Sequence, residues 1–273
     1  MSFEAGWAEP RPTDQDDWAR WQADPLQQVD FAVHTHYLQT YLSRVDRVLE
    51  VGAGAGRFTR ELAQIVDHLV VVDRSAEKLQ RNQRNATAMG YGNVVDAWYE
   101  ADMRGFPDDL YEGEFDAVVC LGGPLSYVHD DRGKALAELV RVTRSGGLLV
   151  LSARSLFGTL HENLPAILSH DEPELNREIV RTGELGPRQV APLDQFWHAF
   201  RAQEFKEFVA SAGTEVMAIS ASNCLTSTWK DLLFTWRSDE RMWRHLIELE
   251  IEASREPGCL DLGSHIIVVA RKH

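Results

Sequence analysis

The segment that most constrains this chain is VLEVGAGAGRFTREL at residues 48–62, an apolar run that breaks on glycines at alternate positions and passes directly into helical periodicity. A strand that turns sharply into a helix needs residues tolerant of positive φ. The helix start it exposes offers unpaired backbone N–H groups to a ligand. The same alternation of short apolar runs and amphipathic stretches continues to about residue 153, as expected of βα units around a parallel sheet. Strands are expected at residues 47–51, 68–73, 94–100, 115–121 and 147–153. The runs LVVVD, FDAVVCL and GLLVLSA are apolar throughout, as strands buried on both faces require. FTRELAQIV, AEKLQRNQRNATAM and RGKALAELVRVT carry apolar residues at helical spacing, with Ser75 placed to cap the second.

Four stretches follow from this pattern. Residues 1–44 read as an N-terminal helical cover and 45–154 as the α/β core. Residues 155–201, with scattered Pro, His, Glu and Gly, read as a cap inserted over the C-terminal edge of the sheet. Residues 202–273 complete the core, with a helix at 203–212, a strand at 215–221, a helical insertion at about 224–254 and a final apolar strand in SHIIVVARK. Within that insertion, helical stretches are expected at 225–236 and 239–254.

Charge narrows the partners. With 28 Lys and Arg against 42 Asp and Glu, the formal net charge is −14 and no basic run stands out. A duplex-binding surface needs clustered cations, so no nucleic acid is expected. Cys120, Cys224 and Cys259 lie far apart with neither disulfide nor zinc spacing, which suits a cytoplasmic protein without a metal. The first 21 residues are polar and acidic rather than signal-like, and no apolar run approaches a membrane span. A homodimer is compatible with all of this.

The second apolar strand ends at Asp73, seventeen residues past Gly56. A carboxylate at that point can accept both hydroxyls of a ribose lying over the glycine turn. EVGAGAGRF followed by VVDRS resembles the first glycine motif and acidic loop of class I S-adenosylmethionine-dependent methyltransferases of the bacterial small-molecule type. YEADMRGF, FDAVVCLGGPLSYVHD, LVRVTRSGGLLVLS and the ending EPGCLDLGSHIIVVARK resemble later segments of that family in the same order, from about residue 30 to the end. The resemblance implies a Rossmann-like doubly wound sheet, mostly parallel with an antiparallel last strand, and S-adenosylmethionine as cofactor, released as S-adenosylhomocysteine.

It also implies site residues. Gly52, Ala53, Gly54 and Gly56 form the cofactor turn; Asp73, with Arg74 beside it, takes the ribose; Asp102 and the backbone of Met103 take the adenine. Glu50, Leu121 and Gly122 hold the methionine part. The stretch DFAVHTHYLQTYL resembles the family's cofactor-covering helix, where His36 or Tyr37 would reach the carboxylate or ribose, unless Tyr37 packs in the core. The turn lacks the Lys and Ser/Thr of a phosphate-binding loop, in keeping with a cofactor that has no phosphate.

Methyl transfer from a sulfonium is an in-line displacement that rests on alignment and exclusion of water, with a base needed for hydroxyl acceptors. His161, His198 and Tyr127 are the catalytic candidates; Phe157, Trp197, Phe200, Asn223 and Trp229 are expected to line the acceptor site. The CLG string after the fourth strand resembles glycine-type N-methyltransferases, which favours nitrogen on a small-molecule acceptor, with secondary metabolism as the expected setting. The alternatives are an O-methyltransferase using a cap histidine as base, or a repurposed member that does not methylate.

Overall fold

The computed structural model describes residues 17–169, 172–186 and 196–273. The start of the expected N-terminal cover and parts of the expected cap, 170–171 and 187–195, lie outside the described residues. Seven strands form the main sheet: β1 (Arg47–Val51), β2 (His68–Asp73), β3 (Val95–Glu100), β4 (Phe115–Cys120), β5 (Thr143–Arg154), β6 (Thr214–Ser222) and β7 (His265–Lys272). Their order is β3-β2-β1-β4-β5-β7-β6. The first five are parallel, and β7 runs antiparallel to both β5 and β6, as expected of a Rossmann-like sheet. The strand order reverses between β1 and β4, the point where a crevice opens at the carboxyl ends of such sheets.

The helices are α1 (Asp17–Ala23), α2 (Pro25–Tyr41), α3 (Arg57–Ile65), α4 (Ala76–Ala88), α5 (Arg132–Val142), α6 (Leu156–Ser169), α7 (Pro173–Thr182), α8 (Ala202–Ser211), α9 (Lys230–Trp236) and α10 (Glu240–Ala253). Ser75 caps α4 through the Lys78 N–H, and Asp24 caps α2 ahead of Pro25.

Because side chains alternate along a strand, each apolar run feeds two cores. Leu49, Val70, Val118, Leu149 and Val268 pack on one face with Leu136, Leu139, Phe205 and Val209. Val48, Val71, Val119, Val150 and Ile267 pack on the other with Val33, Tyr37, Phe58 and Leu62. Burying each such side chain contributes about 1.5–3 kcal/mol before entropy is counted.

Most strand ends fall within one residue of the sequence reading, and the starts of β3 and β5 depart from it for a structural reason. β3 starts one residue late because Gly92–Val94 form a 3-10 turn. β5 starts four residues early, since TRSGG enters the sheet as a bulge: Phe115 pairs with Thr143, but Ala117 pairs with Leu148. Glycine is required there because a Cβ on Gly147 would stand 2.8 Å from the Asp116 carbonyl oxygen.

The segment after β5 leaves and returns at one place. Leu156 N–H donates to Phe200 O and Phe200 N–H to Arg154 O, both at 2.8 Å. Between these ends, α6, α7 and a two-residue ribbon pairing Glu184–Leu185 with Trp197–His198 enclose a small core of Leu156, Ile167, Ile179, Leu185 and Ala199. No helix among the described residues is long and apolar enough to cross a membrane.

Candidate functional site

The chain leaves β1 through three glycines in the left-handed region, Gly52, Gly54 and Gly56, at φ 72°, 56° and 99°. Gly52 N–H and Ala53 N–H both donate to Val72 O, at 2.9 and 3.2 Å, which ties the turn to β2. A Cβ on Gly52 would lie 2.6 Å from Pro124 Cγ, so the turn also abuts the loop after β4. Gly56 caps α3 without a side chain, leaving the helix start open to a ligand.

Asp73 closes the far side. Its Oδ2 accepts from Gly54 N–H at 2.7 Å and its Oδ1 from Ser75 N–H at 2.8 Å, at 6% exposure. A carboxylate has about four lone-pair positions, so each oxygen can still accept a ribose hydroxyl. Glu50 is buried beneath the turn, where Thr59 Oγ1 donates to its Oε2 at 2.6 Å and Asn82 Nδ2 donates to Thr59 Oγ1 at 2.7 Å. Burial pushes the Glu50 carboxyl up to about 8; the Thr59 bond opposes this and the Asp73 charge adds to it. At neutral pH Glu50 is therefore mostly a neutral acid bonded to α3, rather than a charged group on the open side of the turn.

Asp102 is forked by Arg104, which donates through Nε at 2.9 Å and Nη2 at 2.6 Å and also reaches Asp131 at 3.3 Å. The Arg104 hydrogen bonds hold the Asp102 carboxyl below its ordinary range, with exposed Arg74 adding its charge. An adenine amino group would share Asp102 with Arg104. Met103 is buried in the core beside it.

After β4 come Leu121, buried, and Gly122 and Gly123 at φ 82° and 84°. Gly122 N–H donates to Ser152 Oγ at 2.9 Å, fixing the loop to β5. The second glycine brings the backbone against the neighbouring strands: a Cβ on Gly123 would lie 3.4 Å from Arg154 Cγ and 3.6 Å from His265 Cδ2.

The covering helix carries the expected His36 and Tyr37 and, closer to its start, two further polar residues, Asp30 and His34. Tyr37 packs in the core, parallel to Tyr41 at 6.3 Å, next to Ser220 and Ser254, while His36 stands beside Arg255. One and two helical turns towards the start of α2, His34 and Asp30 meet the first residues of α3, His34 at the Phe58 ring and Asp30 at Arg57. Asp30, 2% exposed, accepts from Ser222 Oγ at 2.7 Å and pairs with His265 Nδ1 at 3.0 Å, while Arg57 Nη1 stands 3.4 Å from its other oxygen. Burial alone would raise the Asp30 carboxyl, but the facing His34, His265 and Arg57 hold it well below the ordinary range. Burial pushes His34 down to about 4, so it is neutral. Its Nδ1 sits 2.8 Å from Asp30 O, on its own helix.

Asp30, His34 and His265 bring their ligand atoms within 4.8 Å of one another. A cation would have to displace His34 Nδ1 from that carbonyl and sit beside the Arg57 guanidinium, so the group fits a hydrogen-bond network better than a metal site.

On the cap side, His198 is 3% exposed, with Nδ1 2.8 Å from Glu184 Oε1 and Nε2 2.7 Å from Glu204 Oε1. Both ring nitrogens are engaged, which makes it a strut between the ribbon and α8 and removes it as a free base. His161 is exposed on α6. Phe200 is core, Asn223 is a left-handed turn residue bonded to Leu26 O, and Phe157 and Trp229 are 38% and 51% exposed. Tyr127 and Trp197 do meet, their rings 5.7 Å apart. Over Trp197, at 4.9 Å, lies the guanidinium of Arg154, a residue the sequence reading did not single out.

Residues 48–147 match the model of the methyltransferase domain family. A glycine/sarcosine N-methyltransferase of Parasynechococcus marenigrum is 36% identical over 110 residues, 40% of this chain and 38% of that protein. The match therefore spans well under half of that relative. Among solved structures, one described as a possible histamine N-methyltransferase from Thermotoga maritima covers 94% of this chain and 95% of its own, at TM-score 0.59 and 17% identity. The 4+2 cyclase SpnF covers 90% and 82%, at TM-score 0.57 and 18% identity. These likenesses show a shared fold. The match places residues 48–147 with the methyltransferase domain family, and the open glycine turn with Asp73, which lies within them, fits S-adenosylmethionine as a cofactor without phosphate.

Proposed function

We propose that the protein methylates nitrogen on a small, carboxylate-bearing acceptor. The observation that carries this reading is a pair of buried donors: among the described residues Arg154 Nε and Trp197 Nε1 both lack a partner, with the guanidinium stacked over the indole. Unmet buried donors are costly, and an acceptor-only group such as a carboxylate satisfies both at once. Glu162 Oε2 stands 4.0 Å from a different nitrogen of the guanidinium, Nη2, beyond hydrogen-bond range. The N-methyltransferase name of the Parasynechococcus relative supports the same acceptor class.

S-adenosylmethionine supplies an electrophilic methyl on a sulfonium. The chain's own residues then position and exclude. Asp73 and the start of α3 receive the nucleoside side, the loop at Gly122 and Gly123 lies between the turn and β5, and α2 covers the edge from above. Arg154 draws the acceptor's carboxylate towards Tyr127 and Trp197, whose faces favour a cationic amine beside them. Alignment and dehydration are the main sources of rate for such a displacement. A base at His198, as an O-methyltransferase reading would want, loses support because both its nitrogens are engaged. The acidic balance supports a metabolite over nucleic acid as the acceptor.

The test is transfer of labelled methyl from S-adenosylmethionine across a panel holding glycine, sarcosine, other amino acids, plain amines and phenols. Labelled product from an amino acid is expected. Product from phenols alone, or none from the whole panel, would overturn the proposal.

A further inference from the structure

We infer that His265, oriented by Asp30, is the residue that takes the acceptor's proton, through its Nε2. The inference rests on the methyltransferase reading above and adds the proton acceptor that reading lacks. An amine reaches a protein at neutral pH largely as its ammonium, which has no lone pair for the methyl carbon. One proton must leave first.

The geometry assigns the tautomer. Asp30 is an ionised, buried carboxylate whose Oδ1 lies 3.0 Å from His265 Nδ1. An ionised carboxylate only accepts, so Nδ1 carries the hydrogen and the lone pair of the neutral ring is on Nε2. Ser222 Oγ donates to the same carboxylate oxygen at 2.7 Å, and Arg57 stands by the other, so the carboxylate is held from β6 and α3 as well as from its own helix. This is the arrangement of a base whose orientation is set by a third group.

Position follows from β7. His265 is its first residue, paired across the sheet with Arg154 on one side and Ser222 on the other. The ring's Cδ2, the atom bonded to Nε2, faces the loop after β4 at Gly123, whose other neighbour there is Arg154. The Cδ2 edge of the ring therefore lies at the same end of the sheet as Arg154, which would hold the acceptor's carboxylate. The side chain is 9% exposed, and among the described residues Nε2 has no hydrogen-bond partner. The charged and titratable groups around the ring are Asp30 and His34 from α2, Arg57 from α3 and Arg154 from β5, with Glu162 from α6 beyond Arg154.

In the step itself, the acceptor N–H bond breaks and its proton goes to Nε2, giving an imidazolium opposite Asp30. The freed nitrogen pair forms the C–N bond as the C–S bond breaks, with the S–C electron pair remaining on sulfur. The imidazolium then returns its proton to water.

Two measurements on the full chain test this. In histidine-labelled protein, with the His265 signal assigned by its loss in His265→Gln, nitrogen shifts at neutral pH should show Nδ1 protonated and Nε2 bare. Asp30→Asn should move part of that population to the form protonated on Nε2. With the acceptor found in the panel, His265→Gln should reduce turnover at neutral pH about a hundredfold. Its rate should recover as pH rises towards the acceptor's own pKa, moving the profile upward, while S-adenosylhomocysteine affinity stays within about threefold. A wild-type ring carrying its proton on Nε2, or a His265→Gln profile that overlays the wild type, would overturn the role of His265 alone. Failure to methylate any panel member would defeat the underlying reading and the role together.

Discussion

The turn after β1 and the side chains around Arg154 serve the same edge of the sheet, but they are assembled in opposite ways. The turn is local: Gly52, Gly54, Gly56 and Asp73 lie within one strand–helix–strand unit, and backbone hydrogen bonds do most of the holding. The acceptor side is convergent. Asp30 comes from α2, Arg154 from the end of β5, Trp197 from the cap ribbon and His265 from the start of β7, with 235 positions between Asp30 and His265. A local site is fixed once its strand and helix form, whereas a convergent one depends on the whole sheet being closed.

That difference can be broken most severely at Gly52. Gly52→Val puts a branched side chain at φ 72° and against Pro124, and should cost on the order of 3 kcal/mol in denaturant unfolding. It should also abolish calorimetric binding of S-adenosylhomocysteine. Gly54→Ala is the control, because nothing lies within 4 Å of its Cβ position, leaving only the positive-φ cost of about 1–2 kcal/mol. Equal losses at the two positions would contradict the account of the turn.

The same two regions differ in how much of them can be read from the sequence. Glycines at alternate positions after an apolar strand announce their geometry, and so did Asp73 at the next strand end. The covering helix shows its amphipathic face in the sequence, but the sequence does not mark Asp30 and His34 as members of a buried network. Asp30, His34 and Tyr37 all fall on its buried side, and the seven residues between Asp30 and Tyr37 amount to about 10 Å along the axis. Tyr37 is thus carried down to the middle of the sheet while Asp30 stays at its edge. An Asp and a His four apart on one helix was the available signal, but its partner at the start of β7 was not deducible from spacing. Arg154 was hidden for a similar reason, since only the return of the chain through Phe200 brings Trp197 beneath it. His198 looked like a free cap base because the sequence does not reveal that Glu184 and Glu204 flank it from opposite sides.

A smaller effect sharpens the description of the turn. The Glu50 carboxyl has its ordinary value of about 4.5 when unfolded and about 8 when folded, so the folded state keeps a proton that the unfolded state releases. Its contribution is fully present below the lower value and is lost as pH rises to the higher one. Glu50→Gln retains an oxygen for Thr59 and cannot ionise. Relative to wild type it should therefore gain stability, by on the order of a few kcal/mol, between pH about 4.5 and about 8, and level off above. Parallel stability–pH curves for the two proteins would show that Glu50 is not held neutral beneath the turn.

The central claim is that the cofactor and acceptor ends are separate constructions on one sheet edge, and Arg154→Ala tests it most directly. With an amino acid acceptor identified from the panel, KM for that acceptor and calorimetric affinity for S-adenosylhomocysteine are measured on the same preparation. The account predicts that KM rises by about a hundredfold, as expected for loss of a charge-assisted contact, while cofactor affinity stays within about twofold. An unchanged KM, or a cofactor affinity that falls in step with it, would contradict it.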